Sequence, residues 1–404
     1  MRIRSITIFL TLDPANPEQT LNQAGIVARA ARAKLLDFGY ETQTVRAALN
    51  PASEWAADLK STAVVEAVRR IDSAAASAGI DYVSIGPLLS SADQDPRLLD
   101  TCADLLAATE RIFANAIIAN TQGEIFTGSL SRVAEAIKKI ALMPPTGFNN
   151  LRFAALANCQ PGIPFFPVAY AAASNSISFA LATESASLAL QVARQASSPA
   201  QAMQRLQSAI ELHARKIEPA MDAVQQSTGA EFTGCDWSLA PHPDESCSIG
   251  AAIEWLSQSH VGEGGTLTAV AALTRAIRRA QVRRVGFSGV FLPVLEDRML
   301  ARRFTERGFD IQRLLMYCAV CGAGLDTIPL PGDVSIQSIA ALLADVSTMA
   351  VVLQKPLTMR VMPVSGLADG QRTQFDFPFL VNSDVRGLGV GGQGILRDHI
   401  LKLG

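Results

Sequence analysis

Apolar and polar positions along the chain alternate between two periods. Residues 3–12 (IRSITIFLTL) alternate and are rich in β-branched side chains, which predicts a strand ended by Pro14 and Asn16. Residues 18–38 then shift to a helical period, with Leu21, Ala24, Val27 and Ala31 three or four apart. A strand over 41–47, a helix over 56–78 and a strand over 81–85 follow, the last stopped by Gly86-Pro87. Further on, the pattern predicts helices over 95–115, 130–142, 185–196, 199–225, 248–257, 266–280, 293–303 and 335–353. Pro219 is expected to kink or break the helix over 199–225. Strands are predicted over 116–120, 153–158, 176–181, 235–239, 284–290, 358–363 and 374–380. Strands interleaved with helices imply an α/β fold with parallel pairing. Among the breaks, Pro144-Pro145-Thr146-Gly147 is the clearest, and it does not mark a domain boundary. A single domain over 1–404 is expected, with a mobile glycine-rich tail from 387.

Composition narrows the class. Of 404 residues, 49% are hydrophobic and 18% charged, with a net charge of -2, which fits a soluble globular chain with a large core. A charge so near zero gives no support to a nucleic-acid or membrane-surface partner. Residues 1–12 lack the basic start and cleavage site of a secretory signal. The uncharged run 153–183 is broken by Pro161, Pro164 and Pro167 and reads as buried interior rather than a membrane span. Six scattered cysteines without an export signal point to reduced thiols and a cytoplasmic location.

Residues 316–335 (MYCAVCGAGLDTIPLPGDVS) combine backbone-permissive and reactive residues most densely. Asp326 and Asp333 each follow a glycine closely in what reads as a rigid, proline-stiffened loop. Such a pair suits acid/base work, a divalent cation or a polar substrate; the competing reading makes Asp333 a helix cap and Asp326 a turn residue. Cys318 and Cys321 have the spacing of a redox pair, but their apolar surroundings favour two core cysteines. Cys321, beside Gly322, is the better candidate nucleophile. Gly264 and Gly265 open the predicted helix at Thr266, where backbone amides can meet an anion. Ser288 ends a predicted strand, Asp236 begins one, and Arg360 lies beside the last strands; all three are candidates for holding substrate. The four histidines assemble no catalytic triad or metal arrangement.

Several longer motifs occur in order: RSITIFL (4–10), RFAALANCQPGIPFFPVAYA (152–171), CDWSLAP (235–241) and SIGAAIEWL (248–256). GGTLTA (264–269), GFSGVFLPVLED (286–297), CGAGLDTIPLPGD (321–333) and KPLTMRVMPV (355–364) follow. On these the chain resembles the uncharacterised DUF711 family, also called UPF0210, over nearly its whole length. The resemblance implies a ten-stranded α/β barrel similar to pyruvate formate-lyase and ribonucleotide reductase, whose reactive cysteine rides on a loop entering the barrel. It brings no catalytic residue with it, because fold does not carry chemistry. The stretch 384–389 (DVRGLG) does not amount to a glycyl-radical motif. The expectation is therefore an enzyme acting on a small polar metabolite, with Asp326, Asp333 and Cys321 catalytic. Asp236, Gly264, Gly265, Ser288 and Arg360 would bind substrate, with a divalent cation and a homo-oligomer both open. The alternative is a non-catalytic metabolite-binding or regulatory protein on the same scaffold.

Overall fold

Alternation in the first strand sets the layers. Ile6 and Ile8 of β1 (Arg2–Leu10) face the helix Pro17–Asp37 and pack with its Leu21 and Leu35. Ser5, Thr7 and Phe9 face the other way; Ser5 and Thr7 hydroxyls donate to the Pro164 carbonyl, and Phe9 packs with Ala48 and Phe166. The helix begins at an Asn16 cap whose side chain accepts from the Gln19 amide, with Pro17 at its first turn.

The computed structural model describes residues 1–56, 60–392 and 394–403. After β1 come β2 (Thr42–Leu49), β3 (Tyr82–Pro87), β4 (Ile112–Ala119), β5 (Glu124–Ile125) and β6 (Phe153–Ala157). β7 (Ser178–Glu184), β8 (Glu231–Asp236), β9 (Gly324–Pro331), β10 (Leu357–Val364) and β11 (Leu401–Lys402) complete the set among the described residues. They form one mixed sheet whose main path is β8-β7-β1-β2-β3-β4-β6-β10-β9, with β5 and β11 beside β4. β1, β2, β3, β4 and β6 run parallel. β7 and β8 at one side, and β10 and β9 at the other, run against them.

The predicted α/β class stands, but the regular ladders leave the path open between β8 and β9 instead of drawing a closed ten-stranded barrel. Residues 284–293 lie between these two edges, linked by single parallel bridges from Cys235 to Arg284, Leu239 to Val290 and Pro293 to Asp326. The predicted strand over 284–290 is interrupted because Gly286 and Ser288 adopt φ of 65° and 41°, which no extended ladder accepts.

Two bulges turn charged side chains toward the inner face. Register shifts between Ile3 and Ser5 on β1, so Arg4 and Ser5 both reach that face. On β9, Asp326 and Thr327 together oppose Arg360, with Thr327 at φ 46°. Strict alternation would have sent one residue of each pair outward.

Other expectations change. Residues 316–335 are not an acid-bearing loop: they hold the end of the helix Ile311–Cys318, a turn and the wholly buried β9. Pro329 and Pro331 are tolerated because β9 ends the sheet path. Residues 374–380 form no strand, and Pro219 does not end the helix Pro199–Thr228, whose face from Ala202 to Val224 stays on the core. The tail docks: Gly128 N donates to the His399 carbonyl, and β11 pairs with β5.

Residues 284–293 come closest to the stretch before β9 where Gly289 meets Gly322. A Cβ on Gly289 would stand 2.6 Å from Gly322 Cα, whereas one on Gly264 would meet nothing within 4 Å. Gly289→Ala is expected to cost about 1–3 kcal/mol in denaturant unfolding, and Gly264→Ala less than about 0.5 kcal/mol. Equal midpoints for the two would contradict this packing.

Candidate functional site

Both bulges deliver charge to the inner face of the sheet. Arg4 Nη2 donates to Glu296 Oε2 at 2.6 Å, and Arg360 Nη2 donates to Glu296 Oε1 at 2.7 Å. Arg360 Nε donates to Asp326 Oδ1 at 2.6 Å. The chain Arg4–Glu296–Arg360–Asp326 thus joins β1, the turn after 284–293, β10 and β9. Glu296, Asp326 and Arg360 are buried, and such charges are tolerated only when paired. Arg4 Nη1 also donates to the Pro241 carbonyl at 3.2 Å, and Arg360 Nη1 to the Leu151 carbonyl at 3.3 Å.

A third guanidinium breaks the balance. Arg46, in β2, is 7% exposed and donates through Nε to Thr44 Oγ1 at 2.8 Å. It stands 5.2 Å from the ring centre of Phe166 and 5.7 Å from that of Tyr82. Among the described residues its two terminal nitrogens have no hydrogen-bond partner. Arg46 belongs to the wall of a cavity of about 120 Å³ that Arg4, Arg360, Glu296 and Asp326 also line. Phe165, Phe287, Phe291 and Phe377 supply its apolar walls. The cavity lining itself thus holds three guanidiniums and two carboxylates, and a third, buried carboxylate, Glu184, stands 3.8 Å from Arg4 outside that lining.

The electrostatics follow from this count. Burial first, and then neighbouring Arg4, push the Arg46 guanidinium down to about 9 against a weaker attraction from Glu296, so it keeps its proton at neutral pH without a carboxylate in direct contact among the described residues. Burial opposes the charge on Glu296, but Arg4 and Arg360 outweigh it and hold its carboxyl below the usual range. For Asp326 burial prevails over Arg360, and the adjacent Glu296 adds to it, so its carboxyl is raised. Asp326 Oδ2 has no hydrogen-bond partner among the described residues.

The family model described as uncharacterised ACR (DUF711) matches residues 1–380. The chain belongs to the DUF711 family. A UPF0210 protein of Pyrobaculum aerophilum is 32% identical over 344 residues, covering 81% of this chain and 75% of the relative. UPF0210 proteins of Methanopyrus kandleri and Oenococcus oeni are each 27% identical, over 394 and 377 residues. They cover 91% and 88% of this chain, and 87% and 81% of their own lengths. The GH5_18 structure from Streptomyces cattleya covers 80% of this chain and 70% of its own at 15% identity; its TM-score of 0.18 is too low to bear on the fold.

Within this DUF711 chain the residues expected to form one site are scattered. Asp326 and Arg360 meet in the cavity. Asp333 is exposed at the start of the helix Ile336–Val352, whose cap is Ser335 rather than Asp333. Cys321 is wholly buried in the main core with Cys318, away from the cavity wall. A hydrogen bond from Cys318, with Lys355 nearby, lowers the Cys321 thiol against the effect of burial. Lys355 Nζ donates to the carbonyls of Cys318 and Cys321 at 2.7 and 2.6 Å, so its bonds hold this turn.

Asp236 is buried and saturated. Its Oδ1 accepts from Ser238 N, Ser238 Oγ and Ser288 N, and its Oδ2 from Phe287 N at 2.7 Å. Burial pushes its carboxyl up to about 6 against those bonds. With the Ser288 hydroxyl, which donates to the Val285 carbonyl, it holds the turn that carries Phe287 into the cavity wall. Asp236 positions this wall from a fully buried place behind it. Gly264 and Gly265 lie in a helix-entry turn closed on itself: Ser259 Oγ donates to the Gly264 carbonyl, and Gly262 N to Thr266 Oγ1. A divalent cation at Asp326 would sit against Arg360, and Asp333 does not join it. Among the described residues no three His, Cys, Asp or Glu gather as a metal site.

Arg4, Arg46 and Glu296 were absent from the expected site. The available signal was charge inside otherwise apolar strands, in RIRSITIFL and TQTVRAAL. Glu296→Ala would leave Arg4 and Arg360 buried without their shared partner, and is expected to cost about 3–5 kcal/mol. Asp333→Ala should change stability by less than about 0.5 kcal/mol. Guanidinium unfolding of the two variants checks this, and a mild Glu296→Ala would refute the network.

Proposed function

We propose that this cavity is the active site of an enzyme acting on a small anionic metabolite, of which a carboxylate is the class best matched. The carrying observation is Arg46: a buried guanidinium over two aromatic rings, in the lining of a cavity, whose terminal nitrogens have no hydrogen-bond partner among the described residues. A planar carboxylate accepts from such a fork in two parallel bonds and would supply a counter-charge in direct contact. About 120 Å³ suits a compact ligand, since a cavity of ~150 Å³ admits benzene. The phenylalanine walls would exclude water and strengthen the ionic contacts. Asp326 Oδ2 then serves as the acid/base group beside the bound anion, and Arg4 and Arg360 hold Glu296 as a fixed charge.

We further infer that residues 284–293 act as an interrupted tenth strand between β8 and β9, closing a ring of two opposed five-strand halves. The three single bridges support that reading. Kinship with pyruvate formate-lyase and ribonucleotide reductase stays an expectation of the resemblance, and no radical step is drawn from it. A reducing, cytoplasmic setting suits six cysteines that are all free and buried. No described helix is long and apolar enough to cross a membrane.

Thermal unfolding against a panel of acetate, glyoxylate, pyruvate, malonate and phosphate tests the site. At least one carboxylate should raise the wild-type Tm. Arg46→Met should weaken that response by ~10–100-fold in concentration, the loss of a charge-assisted pair worth about 1.5–3 kcal/mol. Asp326→Asn should keep it, because a negative charge has been removed from the cavity. A wild type indifferent to every anion, or an Arg46→Met that responds equally, would sink the proposal.

A further inference from the structure

A second, larger cleft lies at the other end of the sheet. The first cavity is lined from early in β1 and β2 and at the starts of β3 and β4; the cleft follows the ends of β4 and β6 and precedes β10. One part, of about 730 Å³, is walled by Asn120, Gln122, Asn158, Gln160, Thr233 and Gln354 and, among the described residues, by no ionisable side chain. An adjoining part, of about 540 Å³, is walled by Arg278, Arg284, Lys355 and Ser288. The two share Val285, Gly286, Gln354 and Pro356, so they form one groove with a neutral amide half and a basic half.

Three observations mark it as a binding site. The side-chain amides of Gln122, Asn158, Gln160 and Gln354 make no hydrogen bond among the described residues, although they line a concave wall. Asn158, Ser288 and Gln354 adopt φ of 54°, 41° and 49°. They are half of the six described non-glycine residues in that region, and such backbone strain collects at ligand clamps. Residues 264–295 carry five arginines and no acid. Of these, Arg283 pairs with Asp222, while Arg278 and Arg284 have no carboxylate partner among the described residues; Arg284 Nη1 instead donates to the Arg278 carbonyl at 3.0 Å.

We propose that this groove binds a phosphorylated sugar, its hydroxyls on the amide half and its phosphate on Arg278 and Arg284. A carboxamide both donates and accepts, which matches vicinal hydroxyls. The amide half has no aromatic face on which a nucleotide base would stack. Guanidinium forks match phosphate oxygens, and the groove falls in the size range of small-molecule sites. Lys355 stays on its two carbonyls and adds charge rather than a direct bond.

Calorimetric titration of the intact chain with glucose 6-phosphate, fructose 6-phosphate and ribose 5-phosphate is the test, with glucose and inorganic phosphate as separate probes. At least one sugar phosphate should bind ~10-fold or more tighter than either separate probe. Arg278→Met with Arg284→Met, both at exposed positions, should weaken it ~10–100-fold. Gln122→Ala with Gln160→Ala should weaken the sugar phosphate but not inorganic phosphate. Arg46→Met should leave binding intact, which separates this groove from the carboxylate cavity. The proposal fails if no sugar phosphate outperforms inorganic phosphate, or if the double arginine variant retains binding. It fails equally if Arg46→Met abolishes binding.

Discussion

Burying ionised side chains inside a sheet imposes the constraint on which the rest of this structure depends. Glu296 sits between Arg4 and Arg360, and Arg360 reaches on to Asp326, so four segments distant in sequence are fixed by one chain of ion pairs. Removing any member leaves a charge in a medium that solvates it poorly. A hydrophobic substitute of equal volume could serve stability as well or better. The charges are thus more than stability requires, and Arg46, with no carboxylate in direct contact among the described residues, is the position on which the proposed anion site rests.

The turn between the two binding regions shows how backbone geometry serves this arrangement. Asp236 gathers the amides of Phe287 and Ser288, and Gly286 is required there because a Cβ would collide with Asp236 Oδ2. Phe287 lines both the carboxylate cavity and the basic half of the groove. One immobilised turn thus forms a partition: the interruption that keeps 284–293 from being a regular strand also gives each site a wall.

The α/β class and most helices were legible in the sequence, because periodicity survives without coordinates. Asp326 and Arg360 stood out as separate candidates, but that they pair with each other was not legible. Exposure was not legible. Asp333 and Asp326 share the same glycine-led setting, yet one lies in solvent and the other inside the sheet. The prolines that made 324–331 read as a loop are accommodated at the end of the sheet path. Arg4 and Arg46 were readable in principle as charges set among apolar strand residues. Arg4 in particular depends on a one-residue bulge that alternation does not announce.

The central claim is that Arg46 awaits an anion, and a crystal structure grown in acetate at neutral pH tests it most directly. Carboxylate density is predicted within about 2.7–2.9 Å of both Arg46 terminal nitrogens, with the Glu296 bridge between Arg4 and Arg360 unchanged. An Arg46 side chain folded onto Glu296 or Asp326, with the cavity holding only water, would contradict it.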